Sequence, residues 1–295
     1  MSTAPTSSVA ADTLAALRRI AAALGQPRVK ALHVPPPPAE GTRRGEFAAL
    51  ELDDGDLGLV YVLLGDTLAR LRSGDIPAGL VGCTALRVAE GMTGHDTQDT
   101  QGDPGGHGDL TRTLGWAAGQ ALAHSLMRRA GWQPPPADDS LAGLAPGPGD
   151  HLGLVGLFGP LMERLVQTGA RVTVVELRAD LVGRHAGYEV TLDTAALAAC
   201  NKVLATGTLL INDTLDAVLA HTRGARRVAM VGPTVGGLPD ALFARGVHVL
   251  GGTWVTDPAA FTAALVAGAE RRDAARKFTL VRGDWPGWPA LLARL

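Results

Sequence analysis

The feature that most constrains this chain lies after residue 150. Short apolar runs alternate there with helical patterns, and small turn residues separate them. "HLGLVGLFG" (151–159) reads as a strand and a turn, and "PLMERLVQTG" (160–169) as a helix. "RVTVVEL" is a strand, "TLDTAALAAC" a short helix and "KVLATG" a strand. "DTLDAVLAHTRG" is a helix, "RVAMVG" a strand, "LPDALFARG" a helix and "VHVLGG" a strand. "DPAAFTAALVAGAERR" (257–272) closes as a long helix. Short apolar strands interleaved with helices predict an α/β fold, a Rossmann-like doubly wound parallel sheet. Right-handed crossovers then place every strand-to-helix turn at one edge of that sheet.

Before residue 150 the pattern differs. "GWQPPPADDSLAGLAPGPGD" (131–150) is rich in proline and glycine, which disfavour helix and strand alike. It divides the chain into residues 1–132, a linker over 133–149, and residues 150–295. The first part reads as a small α+β domain. It has a helix over about 12–24, a strand at "RVKALHV", and a hairpin whose two apolar runs meet at "DDGD". "VGCTALRVAEGM" and "TRTLGWAAGQALAHSLMRRAG" read as helices. The second carries Gly115, Ala117, Ala118, Gly119 and Ala121, small enough to let another element approach closely.

Charge and cysteine content narrow the function classes. Net charge is −2 in a chain of 295 residues with 19% charged side chains, so nucleic acid and anionic membranes are not expected partners. Only Cys83 and Cys200 are present, without zinc-ligand spacing, which points to a reducing cytoplasm. The N-terminus lacks the basic segment and apolar core of a signal peptide, and no apolar run of about 18 residues predicts a membrane span. A symmetric homodimer is the expected assembly.

In a doubly wound sheet, ligands sit beyond the carboxyl ends of the strands. Four turns fall there. Gly156, Phe158 and Gly159 follow the first strand, and Glu176, at the end of the next, stands where a Rossmann protein keeps a ribose-binding acid. The glycines at 153, 156 and 159 do not form GxGxxG. Thr206, Gly207 and Thr208 end "KVLATG" and precede an apolar Leu-Leu-Ile, so helix capping does not account for them. Capping does account for Asn212, Asp213 and Thr214. Gly232, Pro233 and Thr234 repeat the theme, as do Gly251 to Thr253, with Trp254 as a stacking face. Backbone N–H groups and threonine hydroxyls at strand ends suit hydrogen bonding to an anionic or heterocyclic ligand.

These turns together resemble a known family. "LGLVGLFGPLMERLVQTGARVTVVEL", "TGTLLINDTLDAVL" and "VAMVGPTVGGLPDALFARGVHVLGGTWVTDP" resemble the putative heavy-metal chelation proteins. The family pattern, a Thr-Gly-(Ser/Thr)-Thr-Leu-(Val/Ile)-Asn-x-Thr-Leu-(Asp/Glu) run, is met by Thr206, Gly207, Asn212, Thr214, Leu215 and Asp216. A Gly-Pro-(Ser/Thr) turn is met by Gly232, Pro233 and Thr234. The resemblance implies an enolase-N-terminal-like domain followed by an atypical Rossmann-like domain, with an interdomain cleft lined by these turns. Where the family usually has Asn on the helix after the polar loop, this chain has Gln120, which can still reach into the cleft.

Two functional readings follow. In the first, the protein binds or processes a small metabolite or metal complex in heavy-metal chelation or metallophore metabolism. A divalent metal ion is then the expected cofactor, with His95, His107 and His124 as candidate ligands and Asp96, Asp99, Asp103 and Asp109 near the first two. In the second, it is an enzyme acting without metal on a nucleotide-like or pterin-like anionic metabolite, with Glu176 orienting a ligand hydroxyl or ring nitrogen. The residues leave open whether a reaction is catalysed.

Overall fold

A computed structural model describes residues 7–37, 46–74, 76, 79–94, 110–137, 141–157 and 159–295. His95, Asp96, Asp99, Asp103, His107, Asp109 and Phe158 lie outside them. The first part of the chain runs α1 (Val9–Ala23), β1 (Val29–His33), β2 (Phe47–Leu52), β3 (Leu57–Tyr61), α2 (Thr67–Ser73), α3 (Ala85–Ala89) and α4 (Leu110–Arg129). The second runs β4 (His151–Val155), α5 (Gly159–Gln167), β5 (Arg171–Val175), β6 (Gly183–His185), β7 (Tyr188–Thr191) and β8 (Lys202–Thr206). It continues through α6 (Leu215–His221), β9 (Arg227–Val231), α7 (Asp240–Ala244), β10 (Val249–Val255), α8 (Pro258–Val266), β11 (Ala275–Val281) and α9 (Trp288–Leu292). Among the described residues no helix is long and apolar enough to cross a membrane.

The large sheet has the order β11-β10-β9-β8-β4-β5-β7-β6. Strands β4, β5, β7, β8, β9 and β10 are parallel, and β6 and β11 add antiparallel edges. The central strands β4, β5, β8 and β9 are largely apolar because both faces are covered. In β8 the alternation is plain: Leu204 joins one buried cluster with Leu152, Leu154, Val174 and Ala229, while Val203 and Ala205 join the other. That second cluster runs on through Leu17, Ile20, Ala117 and Leu122, so it is shared with the first part of the chain.

The five strands expected from the alternating pattern form, and the fold class is α/β as expected. Three expectations need correction. The closing helix ends at Val266, and β11 follows, with Phe278 and Leu280 buried on one face. A β6–β7 hairpin stands where no strand was expected. The segment at 191–200 is a 3-10 turn, Thr194–Ala199, rather than an α-helix.

The smaller sheet has the order β1-β2-β3, all antiparallel. Its hairpin turns at the expected "DDGD", where Gly55 adopts φ +88° and its N–H donates to Leu52 O at 3.0 Å. Helix α1 starts at Ser8, whose hydroxyl accepts from Ala11 N at 3.1 Å. Its Leu14, Leu17, Ile20 and Ala21 form the buried stripe that a 3.6-residue period dictates. Helix α4 is buried nearly all round. Its small residues serve the close approach that their size allows: Gly115 meets the backbone of residues 91–92, and Gly119 meets Leu17 and Met92.

Strand β3 is an edge of the small sheet, and the turn after β9 covers it. The proline-rich segment lies along the edge of β11, where Ala137 N donates to Lys277 O at 3.2 Å. Arg276 Nη2 donates to Pro134 O at 2.8 Å in the same seam.

Candidate functional site

The strand order reverses between β4 and β8. The chain leaves β4 toward β5 and β7, and leaves β8 toward β9 and β10. The carboxyl ends of these two paired strands therefore lie at the topological switch point, where open α/β sheets place their ligands. Gly156 follows β4 with φ +90°, a conformation that glycine adopts freely, and its N–H donates to Val175 O at 2.9 Å. Thr206 ends β8, and its Oγ1 accepts from the Thr208 N–H and hydroxyl, both at 3.4 Å. The chain then enters a 3-10 turn over Gly207–Leu210.

The turns touch. A Cβ on Gly156 would lie 3.1 Å from Thr206 Cγ2, and one on Gly207 would lie 2.6 Å from Val235 Cγ2. Gly232, at φ +128°, sits so that a Cβ would be 3.7 Å from Gly207 N. Gly156, Thr206–Gly207 and Gly232 are thus aligned at one edge of the sheet. Thr206 and Thr208 are half-buried, Gly207 is buried, and Gly159 is exposed at the start of α5.

The other expected site residues have structural partners. Glu176 ends β5 as expected, but Oε2 accepts from Leu157 N at 2.9 Å and Oε1 from Leu177 N at 2.8 Å. Its carboxylate shapes the turn after β4. Asn212 Oδ1 accepts from Thr214 N at 3.3 Å and from Thr214 Oγ1 at 2.7 Å, which is a local turn before α6. Trp254 is buried with its ring 4.8 Å from that of His124.

Gln120, Pro233, Thr234 and His124 close a seam rather than line an open cleft. An edge strand buried by a neighbouring unit leaves backbone groups that need partners. Strand β3 presents Leu57 O, Leu59 N and Tyr61 N in alternation. Leu59 N donates to Gln120 Oε1, and Gln120 Nε2 donates onward to Pro233 O at 2.7 Å. Tyr61 N donates to Thr234 Oγ1 at 3.0 Å. The His124 ring nitrogens face Leu57 O at 3.0 Å and Gly236 O at 2.9 Å, and burial pushes its pKa below the ordinary value. Helical spacing puts Gln120 and His124 one turn apart on one face, with Gln120 expected to reach into a cleft and His124 open between a packed histidine and a metal ligand. The actual partner, β3, becomes visible only when the two parts dock.

Among the described residues the donors do not converge on a directly held metal. Among the described residues no group of three or more His, Cys, Asp or Glu side chains could hold a metal ion. His124 has no nitrogen to spare. His33 pairs with Glu51 at 2.7 Å, His151 faces Ala199 O and Thr173 Oγ1, His185 faces Leu181 O, and His248 Nδ1 accepts from Val228 N.

Residues 141–282 match a family model described as "Putative heavy-metal chelation". No curated protein matches the chain. Among solved structures, a DUF364-family protein of unknown function from Desulfitobacterium hafniense is 20% identical with a TM-score of 0.60. The match covers 90% of this chain and 98% of that one. A second protein of unknown function from that family, from Pyrococcus horikoshii, is 16% identical with a TM-score of 0.60 and covers 91% and 99%. At these identities the likeness is one of fold. Residues 141–282 are thus similar to the DUF364 family, described as "Putative heavy-metal chelation".

Proposed function

We propose that the protein binds a small organic anion at the carboxyl edge between β4 and β8, and that any metal it handles arrives as a complex of that ligand. The observation that carries this reading is the contact between the Gly156 turn and the Thr206–Thr208 turn at the reversal of strand order. Glycine brings the backbone close, threonine hydroxyls add donors, and the start of α5 favours negative charge. Ligand atoms of a chelator supply what the described side chains lack, a converging set of metal donors. The enzyme reading gave Glu176 the task of orienting a ligand, yet both its oxygens are held by backbone N–H groups. This favours binding over catalysis.

The same proposal treats residues 1–132 and 150–295 as two units joined by 133–149, in a cytoplasmic homodimer with Cys83 and Cys200 as free thiols. Thermal denaturation against organic anions, each with and without divalent metal, tests the site. A ligand present at a hundred times its Kd adds about 2.7 kcal/mol to the folded state and raises the midpoint. Thr206→Val is expected to abolish that rise while leaving the ligand-free midpoint near the wild-type value, and Thr206→Ser to retain it. A midpoint that responds to metal alone, or a Thr206→Val protein that binds like wild type, contradicts the proposal.

A further inference from the structure

The amino edge of the large sheet lies opposite the edge assigned to the small ligand, and it carries a basic residue at each of six adjacent strands. In spatial order these are Arg282 just after β11, His248 just before β10, and Arg227, Lys202, His151 and Arg171 at the starts of β9, β8, β4 and β5. The backbone makes the row continuous. Arg282 N donates to His248 O at 2.9 Å, His248 N to Val228 O at 2.8 Å, and Asn201 N to His151 O at 3.0 Å. Lys202 is the direct partner of Arg227, and His151 of Arg171. Neighbouring strands lie about 4.8 Å apart, so Arg171 and Arg282 stand roughly 24 Å from each other along the edge.

Acids do not balance this row. Asp150 is the buried acid beside it, and Lys202 Nζ at 2.8 Å and Arg226 already hold it. Arg171 and Arg282 are exposed and Arg227 is half-buried, and among the described residues none of the three meets a carboxylate within ion-pair distance. Asp284, two residues past Arg282, makes no such pair either. The unbalanced charge is felt locally. Burial first, and then the Arg171 charge, push the His151 pKa below its ordinary value. Burial, and then Arg227 and Arg282, do the same to His248.

The chain as a whole carries a net charge of −2, so this edge is a local reversal of sign. Exposed charges act over about 10 Å in 0.1 M salt, so a partner docked on the row meets the row and not the average. The length of the row suits an extended anion rather than a compact one, and about seven residues of extended peptide span it. Guanidinium forks accept carboxylates and phosphates alike. Single-stranded nucleic acid would also need aromatic platforms for its bases. The aromatic ring beside the row is Tyr188 of β7, and the His185 ring already stacks on it at 4.8 Å. None of the exposed large apolar residues adjoins the row in sequence, as a surface that inserts into a membrane would require.

We infer that the amino edge docks an extended acidic segment of a partner protein, with carboxylates meeting Arg171 and Arg282 at its two ends and Arg227 between them. This surface stands independently of the ligand assigned to the β4–β8 edge.

Fluorescence anisotropy of a labelled peptide of about eight glutamates, titrated with the full chain, tests the inference. Saturable binding that weakens as salt rises is expected. The double variant Arg171→Gln/Arg282→Gln is expected to weaken it roughly tenfold, as for the loss of two exposed charge pairs. The control Arg18→Gln/Arg87→Gln removes the same charge from arginines that pair with Glu90, and is expected to bind like wild type. Arg282→Glu alone, at an exposed turn, should also weaken binding, and keeps the test decisive should the double variant fold poorly. Oligothymidylate and phosphatidylserine vesicles are run beside the peptide. A peptide that does not bind, or a control that loses as much affinity as the double variant, overturns the inference. So does tighter binding of the oligonucleotide or the vesicles through the same arginines, which would give the edge to a different partner.

Discussion

Gly58→Ala is expected to destabilise the protein by about 4 kcal/mol, among the largest effects a single methyl group can have. Gly58 lies in β3 against α4. An added Cβ would overlap Ala117 O and stand 2.8 Å from the carbon of that carbonyl and 2.9 Å from Ala121 N. All three are backbone atoms in the middle of a buried helix, so no side-chain rotation relieves the clash. Helix and strand would have to separate, opening the core around Ala117, Ala118 and Ala121. Gly147→Ala is the control, because a Cβ there meets nothing within 4 Å. Urea denaturation of both variants decides the matter: the Gly147 variant should stay within about 0.5 kcal/mol of wild type. A Gly58 variant within about 1 kcal/mol would show that α4 does not pack on β3 this closely.

Gln120→Leu is expected to cost about 2–6 kcal/mol, by leaving one buried and one part-buried backbone group unmet at about 1–3 kcal/mol each. The Gln120 amide accepts from Leu59 N and donates to Pro233 O, so one side chain joins the small sheet to the turn after β9. Leucine has a similar volume, so the loss reports polar pairing rather than a cavity. Gln120→Asn keeps the chemistry and shortens the reach, and should recover only part of the loss. Amide hydrogen exchange gives a local reading: the Leu59 N–H should exchange faster in the leucine variant, while amides of β4 and β5 keep their order of protection. Unchanged exchange at Leu59 would mean that the seam does not depend on Gln120.

Much of this architecture is legible in the amino-acid sequence. The strand at "KVLATG" is Lys202–Thr206, and the "DDGD" turn joins β2 to β3, because apolar runs bounded by turn residues carry a strong local signal. The β6–β7 hairpin is not legible, since "GRHAGYEVT" forms a largely exposed edge with little apolar content. Strand β11 is present as the alternation of Phe278 and Leu280 with Lys277 and Thr279, but the charged residues before it extend the helical pattern of α8. The threonine turn can be placed at the carboxyl edge because that depends on topology. The partners of Gln120, Thr234 and His124 cannot, because they lie 61 to 173 residues away, in contacts that only docking creates.

The most direct test of the central claim is an amide chemical-shift map of the full chain, titrated with the organic anion that stabilises it most. The Gly156, Leu157, Gly207 and Thr208 amides should move together and saturate at one affinity, with no metal required. Shifts that spare these four amides and appear only with metal at His95 and His107 would place the ligand elsewhere and contradict the account.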